Sequence, residues 1–187
     1  MRWIPLDFPW YKINTDAAVF SASKSVGVGV VVCDHEGSVL AALNKRMPLP
    51  LGPLEAEAKP THEAVSFAKD IGLQDFISET DSTTILNALN DISTTPTSID
   101  NVMRDTHHSL QAFRKSWVQH VKRLGNRPAH TLAHPAKGID DFVTWIEETP
   151  PCIEPFVFPD TLSIAYEYMR YLVPCGGKGE AMEKEID

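Results

Sequence analysis

At 187 residues, with 43% hydrophobic and 22% charged residues, the chain is long enough to bury one good core and too short for two comfortable ones, so one globular domain with appendages is expected. No apolar run reaches the roughly 18 to 20 residues of a membrane helix, and the opening MRWIPLDFPWYK carries an acid and two prolines where a signal peptide needs an unbroken apolar stretch. A soluble, intracellular protein with no membrane partner follows. Cys33, Cys152 and Cys175 are too scattered for a disulfide framework or a zinc cluster and are expected to be reduced and structural.

The net charge of -8 is unevenly spread. Residues 151–187 hold seven acids against three Lys/Arg, which leaves -4 for residues 1–150. From Thr106 to Ile139 there is no Asp or Glu, whereas Arg114, Lys115, Lys122, Arg123, Arg127 and Lys137 fall there with five of the seven histidines. Such a stretch is either a phosphate-facing surface or a solvated helix and loop.

In chain order, residues 11–20 alternate as a strand, "VGVGVVVCD" (26–34) is a β-branched run relaxed by glycines, "HEG" (35–37) is turn chemistry, and "SVLAALNKR" (38–46) returns as a third strand. Three strands on short links predict an antiparallel meander. The period then turns helical in "LEAEAKPTHEAVSFAKDIG", which closes at Gly72 and carries Pro60, whose missing backbone donor is expected to kink or delay the helix. "FISETDS" (76–82) is a fourth strand, followed by a short helix over 83–91 and a longer one over 99–114. "SWVQHVKR" (116–123) is a fifth strand with Trp117 and Val121 in the core, and residues 126–138 open a last helix with Pro128 in its first turn. Beyond Gly138 a short element over 139–150, an amphipathic helix near 158–173 and a charged end are expected, so the division is 1–10 extension, 11–138 domain and 139–187 an acidic, partly disordered extension.

Asp16 stands oddly within an apolar strand, since burying an unpaired carboxylate is costly. Glu57 falls in the first turns of the helix after the third strand, and Asp81 at the end of the fourth. Each acid alone reads as an exposed cap, turn or helix residue. Placed around one sheet, with the first and fourth strands as neighbours, the three converge, and converging acids repel unless a cation lies between them. Hard oxygen ligands favour Mg²⁺ or Mn²⁺.

"NTDAAVF…GVGVVVCDHEGSVLAAL…PLEAEAKPTHEAVSFA…ETDSTTILNAL…HVKRLGNRPAHTLA" resembles the ribonuclease H type 1 fold, in the plant reverse-transcriptase-like, retroelement-derived branch of the ribonuclease H-like superfamily. The resemblance covers about residues 11–137. It implies an α/β fold with a five-stranded mixed sheet, the first three strands antiparallel, and helices on both faces. It also implies four acids binding two Mg²⁺ ions, of which Asp16, Glu57 and Asp81 supply three, while His130 stands where the fourth acid belongs. His130 is then either a weaker metal ligand suited to Mn²⁺ or a proton-transfer group, or a surface histidine.

His120 matches a histidine that family members carry near the site's mouth, and is otherwise a strand-end histidine. Asn126 is a helix cap or a substrate contact. Lys122, Arg123 and Arg127 would meet the phosphates of an RNA/DNA hybrid gripped through its backbone and 2′-OH groups. The resemblance thus implies a monomeric, metal-dependent endonuclease of nucleus or cytoplasm that cleaves the RNA strand of hybrids. The alternative is a degenerate domain kept for nucleic-acid binding or protein interaction, which Pro60 and His130 favour.

Overall fold

The computed structural model describes residues 10–90 and 93–157. Among these, six strands form one mixed sheet: β1 (Tyr11–Phe20), β2 (Ser25–Cys33), β3 (Val39–Met47), β4 (Asp75–Thr80), β5 (Lys115–His120) and β6 (Phe142–Ile146), in the order β5-β4-β1-β2-β3-β6. The first three are the expected antiparallel meander. Asp34 turns β2 into β3, accepting the amides of Glu36 and Ser38 on its carboxylate while Gly37 takes φ +86°. Helix α1 (Pro53–Asp70) then crosses over and returns the chain as β4, parallel to β1 on its other side. This crossover makes Asp16 and Asp81 neighbours.

The two faces of the sheet carry separate cores. Val28, Val30 and Val32 of β2 pack with Ala64, Phe67 and Ala68 of α1, whereas Val31 and Cys33 pack with Ala129 and Leu132 of α4 (Arg127–Ala133). Covered on both faces, β2 is buried throughout, which is why it reads as a continuous β-branched run without polar alternation. Its glycines do more than relax a strand. A Cβ on Gly27 would lie 2.2 Å from the Ala133 carbonyl oxygen, and one on Gly29 2.3 Å from that of Ala129. Helix α4 therefore rests backbone to backbone on β2. On the other side, α2 (Thr83–Leu89) and α3 (Asp100–Leu110) join α1 around Ile85, Ile99 and Met103.

Five expectations need correction. The sheet has six strands, not five, because the aromatic and β-branched stretch "FVTWI" pairs antiparallel with β3. Residues 142–157 pack on the domain, with Ile153 and Val157 buried against Ala129 and Leu132; the amphipathic and acidic stretch from 158 onward lies outside the described residues. Pro60 does not delay α1, which begins at Pro53 and continues through it, although it withholds an amide from the Ala56 carbonyl. The last helix is shorter than expected: 3-10 turns at Arg123–Asn126 and His134–Gly138 bracket α4, since Pro135 has no amide with which to continue the α pattern. Finally, Trp117 is 53% exposed rather than core, because β5 is an edge strand; Trp10 packs edge-on against it at 4.6 Å between ring centroids.

Candidate active site

Alternation along β1 sends Tyr11 and Ile13 into the core beneath α1 and Lys12, Asn14 and Asp16 to the opposite face. Helix α1 begins beside this strand with Pro53 in its first turn, which presents Glu57 one turn in. Strand β4 ends at Thr80, leaving Asp81 just past it and Ser82 as the N-cap of α2. Asp16, Glu57 and Asp81 thus line one cleft of about 260 Å³, together with Ser82, Pro60 and Arg123. The carboxylates foreseen from sequence are brought together from three elements.

Two of the acids are already engaged. The Asp16 Oδ2 lies 2.7 Å from His130 Nδ1, and its Oδ1 accepts the Ala17 amide at 2.8 Å. Burial pushes the Asp16 carboxyl above its ordinary pKa, the Ala17 amide and the His130 ring oppose that shift, and the nearby Asp81 charge adds to it. Glu57 Oε2 accepts from the Ser82 hydroxyl at 2.7 Å, and the same hydroxyl accepts the Ile85 amide as the cap of α2. Ser82 was not singled out from sequence, although its place before "TTIL" is a capping signal.

Behind Asp16 lies a buried polar network that sequence reasoning also missed. Glu79, 6% exposed, accepts from Asn14 at 2.9 Å and from Gln119 at 2.8 Å, with the Lys12 ammonium 3.5 Å away. Asn14 also donates to Asn126, whose own amide donates to the Thr15 carbonyl at 2.9 Å. Asn126 is 0% exposed and makes no side-chain cap bond, so it is neither the capping group nor a substrate contact. It fastens the start of α4 to the residue before Asp16.

The remaining candidates are spread around the mouth. Arg123 borders the cleft. Lys122 is exposed, and the Arg127 guanidinium lies 4.6 Å from the Phe156 ring centroid. His120 is exposed at the end of β5, in register with Thr80, the residue before Asp81.

Mg²⁺ takes hard oxygen donors, commonly one or two carboxylates with waters, and Asp16, Glu57 and Asp81 fit it by chemistry. The Nδ1 of His130 is turned onto Asp16 itself. Among the described residues, no three His, Cys, Asp or Glu side chains form a group that could hold an ion as they stand.

The reverse transcriptase-like family model matches residues 14–136, from Asn14 in β1 into the 3-10 turn at His134–Gly138. The chain belongs to the reverse transcriptase-like family. Its domain has the ribonuclease H fold. It is similar to ribonuclease H1 from the halophilic archaeon Halobacterium salinarum NRC-1, at 22% identity and a TM-score of 0.64, over 69% of this chain and 98% of that one. It is also similar to the N-terminal ribonuclease H domain of Rv2228c from Mycobacterium tuberculosis, at 19% identity and a TM-score of 0.62, over 69% and 94% of the two chains. LC11 ribonuclease H1, in complex with an RNA/DNA hybrid, aligns at 19% identity and a TM-score of 0.61, over 67% and 95%. No curated protein matches the chain. Within the reverse transcriptase-like domain, Asp16 lies on β1, Glu57 on α1, Asp81 just past β4, His120 on β5 and His130 on α4.

Proposed function

We propose that this chain is a divalent-cation-dependent ribonuclease that cuts the RNA strand of RNA/DNA hybrids to leave 3′-hydroxyl and 5′-phosphate ends, acting as a monomer in the nucleus or cytoplasm. The observation that carries this reading is the meeting of Asp16, Glu57 and Asp81, each from a different element, in one cleft with Arg123 at its border. The fold shared with LC11 ribonuclease H1, which was solved with such a hybrid, supports the choice of substrate.

Asp16, Glu57 and Asp81 would hold Mg²⁺ or Mn²⁺, and two such ions supply an activated water and charge for the departing 3′ oxygen. The protein's own part is positional. Ser82 keeps Glu57 turned into the cleft, Arg123 offers a guanidinium to an incoming phosphate, and exposed His120 is placed to exchange protons with solvent near neutral pH. His130 holds Asp16 Oδ2, so an ion bound at that oxygen would share it with the imidazole or displace the ring.

That same bond favours a second reading, in which the fold persists as a nucleic-acid-binding or interaction module without cleavage. Cleavage of a labelled hybrid in Mg²⁺ and in Mn²⁺ decides between them, comparing the wild type with Asp16→Asn and His130→Asp. Cleavage by the wild type that Asp16→Asn abolishes supports the enzyme. Silence of the wild type in both ions, with activity appearing in His130→Asp, supports the binding module.

A further inference from the structure

His130 and His134 are four residues apart, one on the last turns of α4 and one capping it, and so lie on the same side of the helix. Their rings meet edge to face, 4.9 Å between centroids and 82° between planes, with the two Nε2 atoms 3.4 Å apart. On its other edge, His130 Nδ1 stands 2.7 Å from Asp16 Oδ2.

With Nδ1–H donated as a hydrogen bond to the Asp16 carboxylate, the lone pair of the His130 ring is on Nε2. The Nε2 atom of the second imidazole, His134, lies beside it. A separation of 3.4 Å is longer than the 2.7–3.2 Å of a good hydrogen bond from nitrogen. Two imidazole nitrogens sharing one tetrahedral ion at Zn–N distances of about 2.0–2.1 Å stand about 3.3–3.4 Å apart. A carboxylate behind a histidine is also the arrangement that orients metal-bound imidazoles and raises their basicity.

We propose that His130 and His134 are the two protein ligands of a borderline transition-metal ion, Zn²⁺, Co²⁺ or Ni²⁺, bound at the edge of the cleft and distinct from the carboxylate site for Mg²⁺. Imidazole suits these ions and suits Mg²⁺ poorly. Among the described residues no third side chain completes the group, so water fills the remaining positions and leaves them open to an oxygen of a bound phosphate. The site does not require hybrid cleavage, and it would exist equally in a domain that only binds nucleic acid.

Calorimetric titration of the full chain with Zn²⁺, Ni²⁺ and, separately, Mg²⁺ tests this, using the wild type, His134→Ala and His107→Ala. His134 is exposed, so its removal leaves the core intact, and far-ultraviolet circular dichroism verifies that the variant is folded. His107, also exposed, stands beside His108 on α3 and serves as the control. The expected result is a saturable Zn²⁺ or Ni²⁺ site weakened at least about tenfold by His134→Ala, unchanged by His107→Ala and with no matching effect on Mg²⁺. Asp16→Asn should weaken the same site by about 10- to 100-fold as the loss of an orienting partner does, and the visible absorption of bound Co²⁺ should disappear in His134→Ala. No saturable site in the wild type, or equal affinity in folded His134→Ala, would overturn the proposal whatever the result with the hybrid.

Discussion

The side-chain amide of Asn126 donates to the main-chain carbonyl of Thr15 at 2.9 Å across 111 residues of sequence, with both groups buried. The last helix is thereby joined to the strand at the position next to Asp16. Asn126→Ala would leave the Thr15 carbonyl and one Asn14 donor bond unanswered in the interior, at a cost of about 1–3 kcal/mol for each group left unsatisfied. Denaturant unfolding should show a loss of that order. Asn126→Asp should be worse at neutral pH than its near-identical size suggests, because it sets an acceptor against an acceptor.

Gly29→Ala tests the close seating of α4. The added methyl would meet the Ala129 carbonyl oxygen at 2.3 Å, a contact with a backbone atom that no rotamer change relieves. A loss of about 1–3 kcal/mol, or more, is expected from such overpacking, and His130 should separate from Asp16 as the helix lifts. The imidazole resonances of His130 in NMR would report that separation even in a variant that stays folded.

Ser82 has two duties that substitution can divide. Ser82→Ala removes the cap of α2 and should cost about 0.5–2 kcal/mol, read as a lower unfolding midpoint. Ser82→Asp restores a capping oxygen but faces Glu57 with a second negative charge in place of a donor, so hybrid cleavage should suffer more in Ser82→Asp than stability does. Equal effects of the two variants on both readouts would contradict this division.

Arg114 and Asp75 form a bidentate pair at the start of β4, with Arg114 Nε 2.9 Å from Asp75 Oδ1. Its hydrogen bonds hold the Asp75 carboxyl below the ordinary carboxylate range, against the opposing effect of burial. A folded-state value below the unfolded one, about 3.9, means that the contribution is complete above that pH and is lost as pH falls towards the folded value. Arg114→Gln should therefore be less stable than the wild type at pH 7, with the gap narrowing below about pH 4. Urea titrations at several pH values would show a constant gap if the pair contributed nothing through its charge.

The parts of this molecule that were legible in its sequence are those written in period and turn chemistry. The meander, the crossover helix and the acids at Asp16, Glu57 and Asp81 all follow from alternation, from Gly72 and from strand ends, which are local signals. The misread parts depend on distant neighbours. Trp117 has the composition of a core residue, yet its strand lies at an edge, and strand order is not written in any short window. Gly27 and Gly29 looked like flexibility because the helix that presses on them comes about 100 residues later. Glu79 carries no local signal of its role, and only the pairing of β4 with β1 and β5 reveals three partners around it.

The glycines of β2 also act as a depth gauge. With two methyl groups missing from the strand, α4 comes to rest at one height, and every side chain on its underside inherits that clearance. An imidazole at position 130 spans it and touches Asp16 directly, whereas the shorter aspartate of His130→Asp would stop short. The opening left between two carboxylates would then be a berth sized by β2, so the residues that decide what can be lodged there are ones that never touch it.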